Sequence, residues 1–314
     1  MSDIKIYTVD EPYLKIDCGL GEGPFWEEAT NTLRFVDVVK QKLHAIDLNK
    51  GPESHKVLAD LDISIGVTAD IEGDDDHIFF GGKHGYGILN RNTSKYKYIR
   101  KYWSDQEIAA GKEKLFRGND GAVDVRGRFF VGTMNDPLVK SPEPEGTLFR
   151  LDPDLTLHRV LENVHIPNGI SWSNDNKTMY YTDSPTQNVF AFDYDVDTGA
   201  FSNKRVFYHV DEGEHGVPDG HALDVEGHMW ISIHGAAKVL RVSPGGKKVA
   251  EIRLPTRCPT CPEFAGEDLY ITSAEEEMPD RFPESTKLHG SLFKVHVGVR
   301  GAPSYRFKYN GEKP

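Results

Sequence analysis

The sequence predicts an all-β protein, a six-bladed β-propeller with four antiparallel strands per blade. Two observations carry this prediction: a strand–turn–strand pattern recurs six times, and a second hairpin pattern follows each copy. Successive copies are spaced by roughly 40–50 residues, which is the length that four short strands and their turns occupy in a propeller blade. We therefore expect the chain, residues 1–314, to form one ring-shaped domain around a central channel.

The first pattern is a strand, a polar turn and a return strand of alternating apolar residues. Its fifth copy, residues 223–233, places the turn at Glu226-Gly227. Period-two alternation bounded by Gly, Asn and Asp is typical of a half-buried hairpin. The return strand carries an aromatic residue in every copy; these residues are Phe35, Phe79, Phe129, Tyr180, Trp230 and Tyr270.

The second pattern is another alternating segment that ends in Asp, Asn, Pro or Gly, as a strand and its turn should. Its six copies are residues 42–51, 86–95, 146–155, 188–199, 238–246 and 290–301. Helical signals are sparse by comparison, and only residues 104–114 have the pattern of a short capped helix. The sequence therefore favours a ring of sheets with little helix.

The composition limits which kinds of molecule the protein is expected to bind and the compartment in which we expect it. The formal net charge of −12 argues against binding to nucleic acid or to an anionic membrane surface. No apolar run approaches the roughly 18 residues that span a bilayer, and the first residues have no secretory leader pattern. Three cysteines in 314 residues favour a reducing compartment. We expect a cytoplasmic protein, a monomer or weak homodimer, that binds neither nucleic acid nor membrane.

Polar residues recur at the start of the first strand of several blades. The innermost strands of a propeller line the channel, so residues at their starts gather at one mouth. Four blades have a carboxylate or amide oxygen directly before a glycine there: Glu22-Gly23, Asn119-Asp120-Gly121, Asn168-Gly169 and Asp219-Gly220. One such pair alone is more typical of a turn, but four in equivalent register favour a shared site. Oxygen donors suit Ca²⁺, Mg²⁺ or Mn²⁺, and Zn²⁺ also accepts carboxylates.

A family resemblance is carried by six segments, which are Gly21–Glu27 and residues 116–124, 132–134, 167–173, 192–195 and 218–224. They resemble the senescence-marker-protein/gluconolactonase/luciferin-regenerating-enzyme family, which includes regucalcin-like proteins and sugar-acid lactonases. The resemblance extends from about residue 17 to residue 304. It implies a six-bladed propeller with one divalent metal ion in the central channel, which agrees with the blade count from the repeats.

The resemblance also implies roles for individual residues. The metal-binding glutamate, asparagine and aspartate of the family match Glu22, Asn168 and Asp219. Its substrate-contacting arginine and asparagine match Arg117 and Asn119.

One position of the family pattern is not matched. Some members use an acid shortly after Gly-Thr-Met to contact the substrate, whereas this chain has Asn135-Asp136-Pro137 after that motif. Asp136 is the residue that can take the place of this acid in the substrate pocket.

These assignments predict a divalent-metal-dependent hydrolase that opens aldonolactones such as gluconolactone. Asp219 would act as general base towards an activated water, and Arg117 with Asn119 would hold substrate hydroxyls or the developing oxyanion. Two alternatives stay open: an organophosphate or aryl-ester hydrolase of similar propeller type, and a non-enzymatic calcium-binding regulatory protein. The choice among Ca²⁺, Mg²⁺, Mn²⁺ and Zn²⁺, and the identity of the lactone, are also open.

Overall fold

The structure, a computed structural model, describes residues 4–311, with the exception of the side chain of Glu212. Its first strand, β1 (Lys5–Thr8), precedes the repeats. Blade one contains β2 (Gly21–Glu27), β3 (Thr32–Asp37), β4 (Lys42–Asp47) and β5 (Lys56–Asp60). Blade two contains β6 (Ile65–Ile71), β7 (Asp74–Gly82), β8 (Gly85–Asn90) and β9 (Tyr96–Lys101).

The remaining blades follow in chain order. Blade three contains β10 (Phe116–Val123), β11 (Phe129–Asn135), β12 (Gly146–Leu151) and β13 (Leu157–Val164). Blade four contains β14 (Pro167–Trp172), β15 (Thr178–Asp183), β16 (Asn188–Tyr194) and β17 (Phe201–His209). Blade five contains β18 (Val217–Leu223), β19 (Met229–His234), β20 (Lys238–Val242) and β21 (Lys248–Arg253). Blade six contains β22 (Pro259–Ala265), β23 (Asp268–Ser273) and β24 (Phe293–His296).

The helices are short and lie between strands. Two of them, α1 (Asp105–Ala109) and α2 (Lys112–Leu115), occupy the segment predicted to be helical. Ser104 caps α1 through a capping box with Glu107, as the sequence pattern indicates. A third helix, α3 (Pro283–Thr286), follows β23, and 3-10 turns occur at Pro52–Ser54, Ser184–Thr186 and Glu212–Glu214. None of the helices within residues 4–311 has the length and apolar composition to span a bilayer.

The prediction of a six-bladed propeller is confirmed, with two departures at the ends of the chain. The six aromatic residues that marked the repeats all lie on the second strand of a blade. Blade five gains a fifth strand because β1 pairs in parallel with β21. Blade six has three strands, and the chain start completes it through an antiparallel bridge between Leu14 and Leu292.

The N-terminal strap, defined here as residues 14–20, closes the ring. Leu14 and Leu292 exchange two backbone hydrogen bonds of 3.1 Å, and Cys18 donates its backbone N–H to the carbonyl of Gly290 at 3.1 Å. The carbonyl of Leu20 accepts the backbone N–H of Val38 in blade one at 2.9 Å. The strap thus joins the last blade to the first, and β22 lies directly against β2.

Buried aspartates hold the turns between the first two strands of a blade. Asp224 follows β18, and its Oδ1 accepts the backbone N–H groups of Glu226 at 3.0 Å and His228 at 2.9 Å. Its Oδ2 accepts the indole N–H of Trp230 at 3.0 Å and Nη2 of Arg241 at 2.6 Å. This dense bonding explains how a fully buried carboxylate is tolerated at the turn. Asp124 has the equivalent position in blade three.

The C-terminal segment crosses the end of the ring opposite to the starts of the inner strands. Gly301 forms a bridge with Asp224 below blade five, and Phe307 pairs with Ile71 at the end of β6. The ring of Phe307 stacks on Phe79 with 4.3 Å between the centroids. This packing fills the space between blades two and three.

Candidate functional site

All six inner strands contain a β-bulge near the same end of the channel. Their register with the second strand shifts between Glu22 and Phe25, Ile65 and Val67, Gly118 and Gly121, Asn168 and Ile170, Pro218 and His221, and Pro259 and Pro262. A bulge bends a strand and redirects its side chains. The oxygen-bearing residues seen in the sequence lie in these bulges or directly beside them. This end of the channel, where the inner strands begin, is called the upper mouth.

The glycines at these positions allow neighbouring blades to approach. A Cβ added at Gly169 would overlap the ring of His221, and one added at Gly220 would overlap Cys261 of the next blade. The Asn-Gly and Asp-Gly pairs are therefore not turns, although each pair alone is typical of one. They lie within strands that pack side by side around the channel.

A chain of hydrogen bonds connects blades three and four at this mouth. Nη1 of Arg117 donates to Oδ1 of Asn119 at 2.6 Å, and Nδ2 of Asn119 donates to Oδ1 of Asn168 at 2.9 Å. Nδ2 of Asn168 then donates to the hydroxyl of Ser184 at 2.8 Å. Because Nδ2 of Asn168 is bound to Ser184, the carbonyl oxygen of the same amide faces Asn119.

Three buried carboxylates from different blades interact at the same place. Burial raises the pKa of Glu22, and the negative charges of Asp219 and Asp120 raise it further. Burial also raises the pKa of Asp219 well above its ordinary value, with a further contribution from Asp120. The pKa of Asp120 is raised by burial to about 6. The three acids therefore lie near enough to one another for their charges to interact.

Asp219, the buried acid of blade five, has a carboxylate oxygen without a hydrogen-bond partner among residues 4–311. Oδ1 of Asp219 is buried and accepts no hydrogen bond from any residue in the described range 4–311. A buried carboxylate with a free oxygen is costly unless it is protonated or lies beside a cation. Carboxylates and the amide oxygen of Asn168 are donors of the chemical type that suits a divalent ion. The residues present therefore fit the metal that the sequence indicates.

Asp120 is a residue that the assignment from sequence left out. The segment Asn119-Asp120-Gly121 was recognised as an oxygen-bearing segment, but the family pattern assigned a role only to Asn119. Asp120 is 7% exposed and belongs to the acidic group by its effect on both Glu22 and Asp219. Its position between an asparagine and the bulge glycine was the signal that could have identified it.

Asp136 lies at the edge of the same site and is bound to a lysine. Nζ of Lys83, from the turn after β7, donates to Oδ2 of Asp136 at 2.6 Å. Oδ1 of Asp136 accepts the backbone N–H of Leu138 at 3.1 Å. Burial alone would raise the pKa of Asp136, but the Lys83 ammonium, the Leu138 backbone N–H and the charge of Arg117 together lower it below its ordinary value. Lys83 had no distinguishing signal in the sequence, because its approach to blade three depends on the ring.

Below the mouth, the channel contains a cavity of about 400 Å³. Its walls are the inner strands of all six blades, with Asp120 and His221 among the lining residues, and Ala302 to Tyr305 also line it. His221 is buried, with Nε2 at 2.8 Å from the hydroxyl of Ser171. The cavity thus extends from Asp120 to the C-terminal segment.

The fold and the site define a class of protein: a six-bladed propeller whose channel mouth collects carboxylates and amides from several blades. Residues 20–275 match the family described as SMP-30/Gluconolactonase/LRE-like region. The chain belongs to this family.

Known proteins resemble the chain over nearly its whole length. Regucalcin from Bos taurus is 34% identical over 98% of this chain and 99% of its own length. A solved structure of luciferin-regenerating enzyme is 27% identical with a TM-score of 0.82, covering 93% of this chain and 96% of that one. A calcium-binding protein, regucalcin, from Agrobacterium tumefaciens has a TM-score of 0.85 at 23% identity, covering 98% and 99%. At 23% identity, the likeness to this Agrobacterium tumefaciens protein supports the fold alone.

Proposed function

We propose that this chain is a divalent-metal-dependent hydrolase that opens sugar lactones at the upper mouth of its channel. The observation that carries the proposal is the group of buried acids, Glu22, Asp120 and Asp219, of which Asp219 retains an oxygen without a partner among residues 4–311. A family described by the name gluconolactonase supports the substrate class.

Glu22, Asn168 and Asp219 would hold the metal ion, with Asp120 adding negative charge beside them. When bound, such an ion supplies a Lewis acid for the lactone carbonyl and lowers the pKa of a water molecule. Asn168 suits this role because Ser184 and Asn119 fix the orientation of its amide. Glu22 is oriented by the backbone N–H of Gly23, which donates to its Oε2 at 3.0 Å.

Asp219 acts as the general base of the hydrolysis. Its Oδ1 takes a proton from the attacking water as the water oxygen bonds to the carbonyl carbon. The ring C–O bond of the lactone then breaks, and the same proton passes to the released ring oxygen. One water is consumed, and the product is the open-chain hydroxy acid.

Arg117 and Asn119 orient the substrate and stabilise negative charge on the carbonyl oxygen. The guanidinium of Arg117 is buried, and burial lowers its pKa against the opposing effect of the negative charges of Asp136 and Glu22. Such a donor is more effective in a site that excludes water than at an exposed surface. Asp136, held by Lys83, would accept hydrogen bonds from sugar hydroxyls at the rim.

The decisive experiment is hydrolysis after chelation, with Ca²⁺, Mg²⁺, Mn²⁺ and Zn²⁺ restored one at a time. A panel of sugar lactones would be assayed beside an aryl ester and an organophosphate. We expect metal-dependent opening of sugar lactones, lost in Asp219→Asn and retained in Asp193→Asn, which changes an exposed aspartate. Preferred turnover of the ester or organophosphate would identify a different hydrolase. Tight Ca²⁺ binding without turnover of any compound would identify a regulatory protein.

A further inference from the structure

A second group of potential metal ligands lies where the N-terminal strap meets blade one. Cys18 of the strap, Asp37 at the end of β3 and His44 on β4 each offer one ligand atom, and these three atoms lie within 4.8 Å of one another. The residues are only 1%, 2% and 4% exposed. They lie outside the inner strand, and the lactone chemistry proposed above uses none of them.

One ring nitrogen of His44 has no hydrogen-bond partner among residues 4–311. Its Nδ1 lies 2.9 Å from Nε2 of His55, and its ring stacks on Phe35 with 4.9 Å between the centroids. Nε2 of His44 is buried and forms no hydrogen bond with any residue in the described part of the chain. When Nδ1–H donates to His55, Nε2 presents a lone pair. This is the arrangement of a metal-binding histidine whose other nitrogen is held by a neighbour.

Cys18 and Asp37 are already in contact through the thiol. The carboxylate of Asp37 accepts the backbone N–H groups of Gly19 at 3.0 Å, Leu20 at 3.2 Å and Lys40 at 2.9 Å. A carboxylate has about four acceptor positions, so one is left for the thiol of Cys18. Burial raises the pKa of the Cys18 thiol, and the charge of Asp37 raises it further. The thiol therefore keeps its proton unless a cation replaces it.

We propose that Cys18, Asp37 and His44 form a second metal site, selective for an ion that binds sulfur and nitrogen, with Zn²⁺ as the physiological example. One thiolate, one carboxylate and one imidazole are donors that Zn²⁺ and Co²⁺ accept, whereas Ca²⁺ and Mg²⁺ require oxygen. Binding replaces the thiol proton by the metal and releases that proton to solvent. The charges of the thiolate, the carboxylate and the divalent ion then sum to zero. A neutral group of this kind costs less to bury than one with a net charge.

The position of this site gives it a structural role. The strap closes the ring by bonding to Gly290 of blade six, and Cys18 is the residue that forms this bond. Asp37 and His44 belong to blade one. A metal ion shared by these three residues links both sides of the closure. Because the ion binds the folded chain, it shifts unfolding to higher temperature by mass action.

The test is a Co²⁺ titration of the full chain in the presence of saturating Mg²⁺, which occupies oxygen-donor sites. We expect a thiolate-to-cobalt charge-transfer band that saturates at about one equivalent and is displaced by Zn²⁺. Cys18→Ser should abolish the band and His44→Gln should weaken Co²⁺ binding about tenfold or more. Cys258→Ser, which changes another buried cysteine, should retain the band.

Thermal unfolding gives an independent readout. Zn²⁺ should raise the unfolding midpoint of Asp219→Asn, in which the channel site is altered, but not that of the double variant Asp219→Asn/Cys18→Ser. Far-UV circular dichroism verifies that each variant folds, and His44→Gln keeps the thiol if Cys18→Ser does not fold. Absence of the charge-transfer band in the wild type, or its survival in Cys18→Ser, would overturn the proposal. So would its loss in Cys258→Ser alone.

Discussion

The side-chain amide of Asn119 donates a hydrogen bond of 2.9 Å to Oδ1 of Asn168, which joins blade three to blade four at the channel mouth. Asn119 also accepts Nη1 of Arg117 at 2.6 Å. One residue therefore connects the proposed substrate-binding arginine with the proposed metal-binding asparagine. A change at Asn119 should affect both functions together.

Asn119→Ala is expected to weaken metal binding by roughly 10–100-fold and to reduce lactone turnover. The reason is that the substitution releases both Arg117 and Asn168 from their fixed orientations, and residues that orient metal ligands contribute effects of this size. Metal titration of the chelated chain, followed by calorimetry, measures the first effect. Asn92→Ala, at an exposed turn, is the matched control. Unchanged metal affinity in Asn119→Ala would separate this residue from the metal site.

Asp219→Asn is expected to have opposite effects on stability with and without metal. In the chelated protein the substitution removes one of three buried acids that repel one another, so the free energy of unfolding should rise by about 1 kcal/mol or more. With metal present, the variant should lose the stabilisation that the ion provides to the wild type. Lactone turnover should fall by about 10²–10⁴, the range typical of a lost general base. Urea unfolding with and without chelator, beside steady-state kinetics, measures these effects.

The blades could be predicted from sequence because their signals are local. A hairpin needs only alternating residues and a polar turn, and Phe35, Phe79 and Phe129 mark the same position in successive repeats. The pairing of Leu14 with Leu292 could not be predicted in this way, because it joins the two ends of the chain and has no local pattern.

In the candidate site, too, residues with a sequence signal could be predicted, whereas contacts between blades could not. Register and family resemblance identified Glu22 and Asp219, whose mutual electrostatic effect the structure describes. Asp120 and Lys83 were missed because their roles arise from contacts between blades. The bulges were missed for the same reason, since Asn-Gly and Asp-Gly are typical of turns unless a neighbouring strand forces them to extend.

Glu263 should make stability depend on pH. Its side chain faces the channel cavity, and burial raises its pKa to about 8, against weaker opposing effects of the Trp26 backbone N–H and Arg34. Because the pKa in the folded state is raised, its contribution to stability is complete below the ordinary glutamate pKa of about 4.3 and is lost as pH rises through about 8.

Glu263→Gln should therefore reduce this pH dependence. Between about pH 4.3 and pH 8, the wild type should lose roughly 1–4 kcal/mol of unfolding free energy relative to the variant. Urea unfolding at a series of pH values measures the difference. Glu267→Gln, which changes an exposed glutamate, should follow the wild type. Parallel curves for wild type and Glu263→Gln would show that Glu263 is ionised throughout.

Arg117→Lys should reduce kcat/KM for lactones by about 10–100-fold although the positive charge is kept. A lysine ammonium cannot reproduce the planar guanidinium, which donates to Asn119 and Gly118 from one nitrogen and leaves others for the substrate. Steady-state kinetics measures the loss. Arg126→Lys, at an exposed ion pair with Asp197, should leave activity unchanged. Equal activity of Arg117→Lys and wild type would remove Arg117 from the substrate site.

Asp224→Ala should destabilise the fold by about 3–5 kcal/mol, without a specific effect on metal affinity in the protein that remains folded. The substitution leaves Arg241, the indole of Trp230 and two backbone N–H groups without their buried acceptor. Removing one partner of a buried ion pair typically costs this amount, whereas an exposed pair contributes about 0–1 kcal/mol. Glu226→Ala is the matched control, because Glu226 is 58% exposed and contacts the same arginine at 2.7 Å. Comparable unfolding midpoints in urea for the two variants would mean that the turn between β18 and β19 does not depend on its buried aspartate.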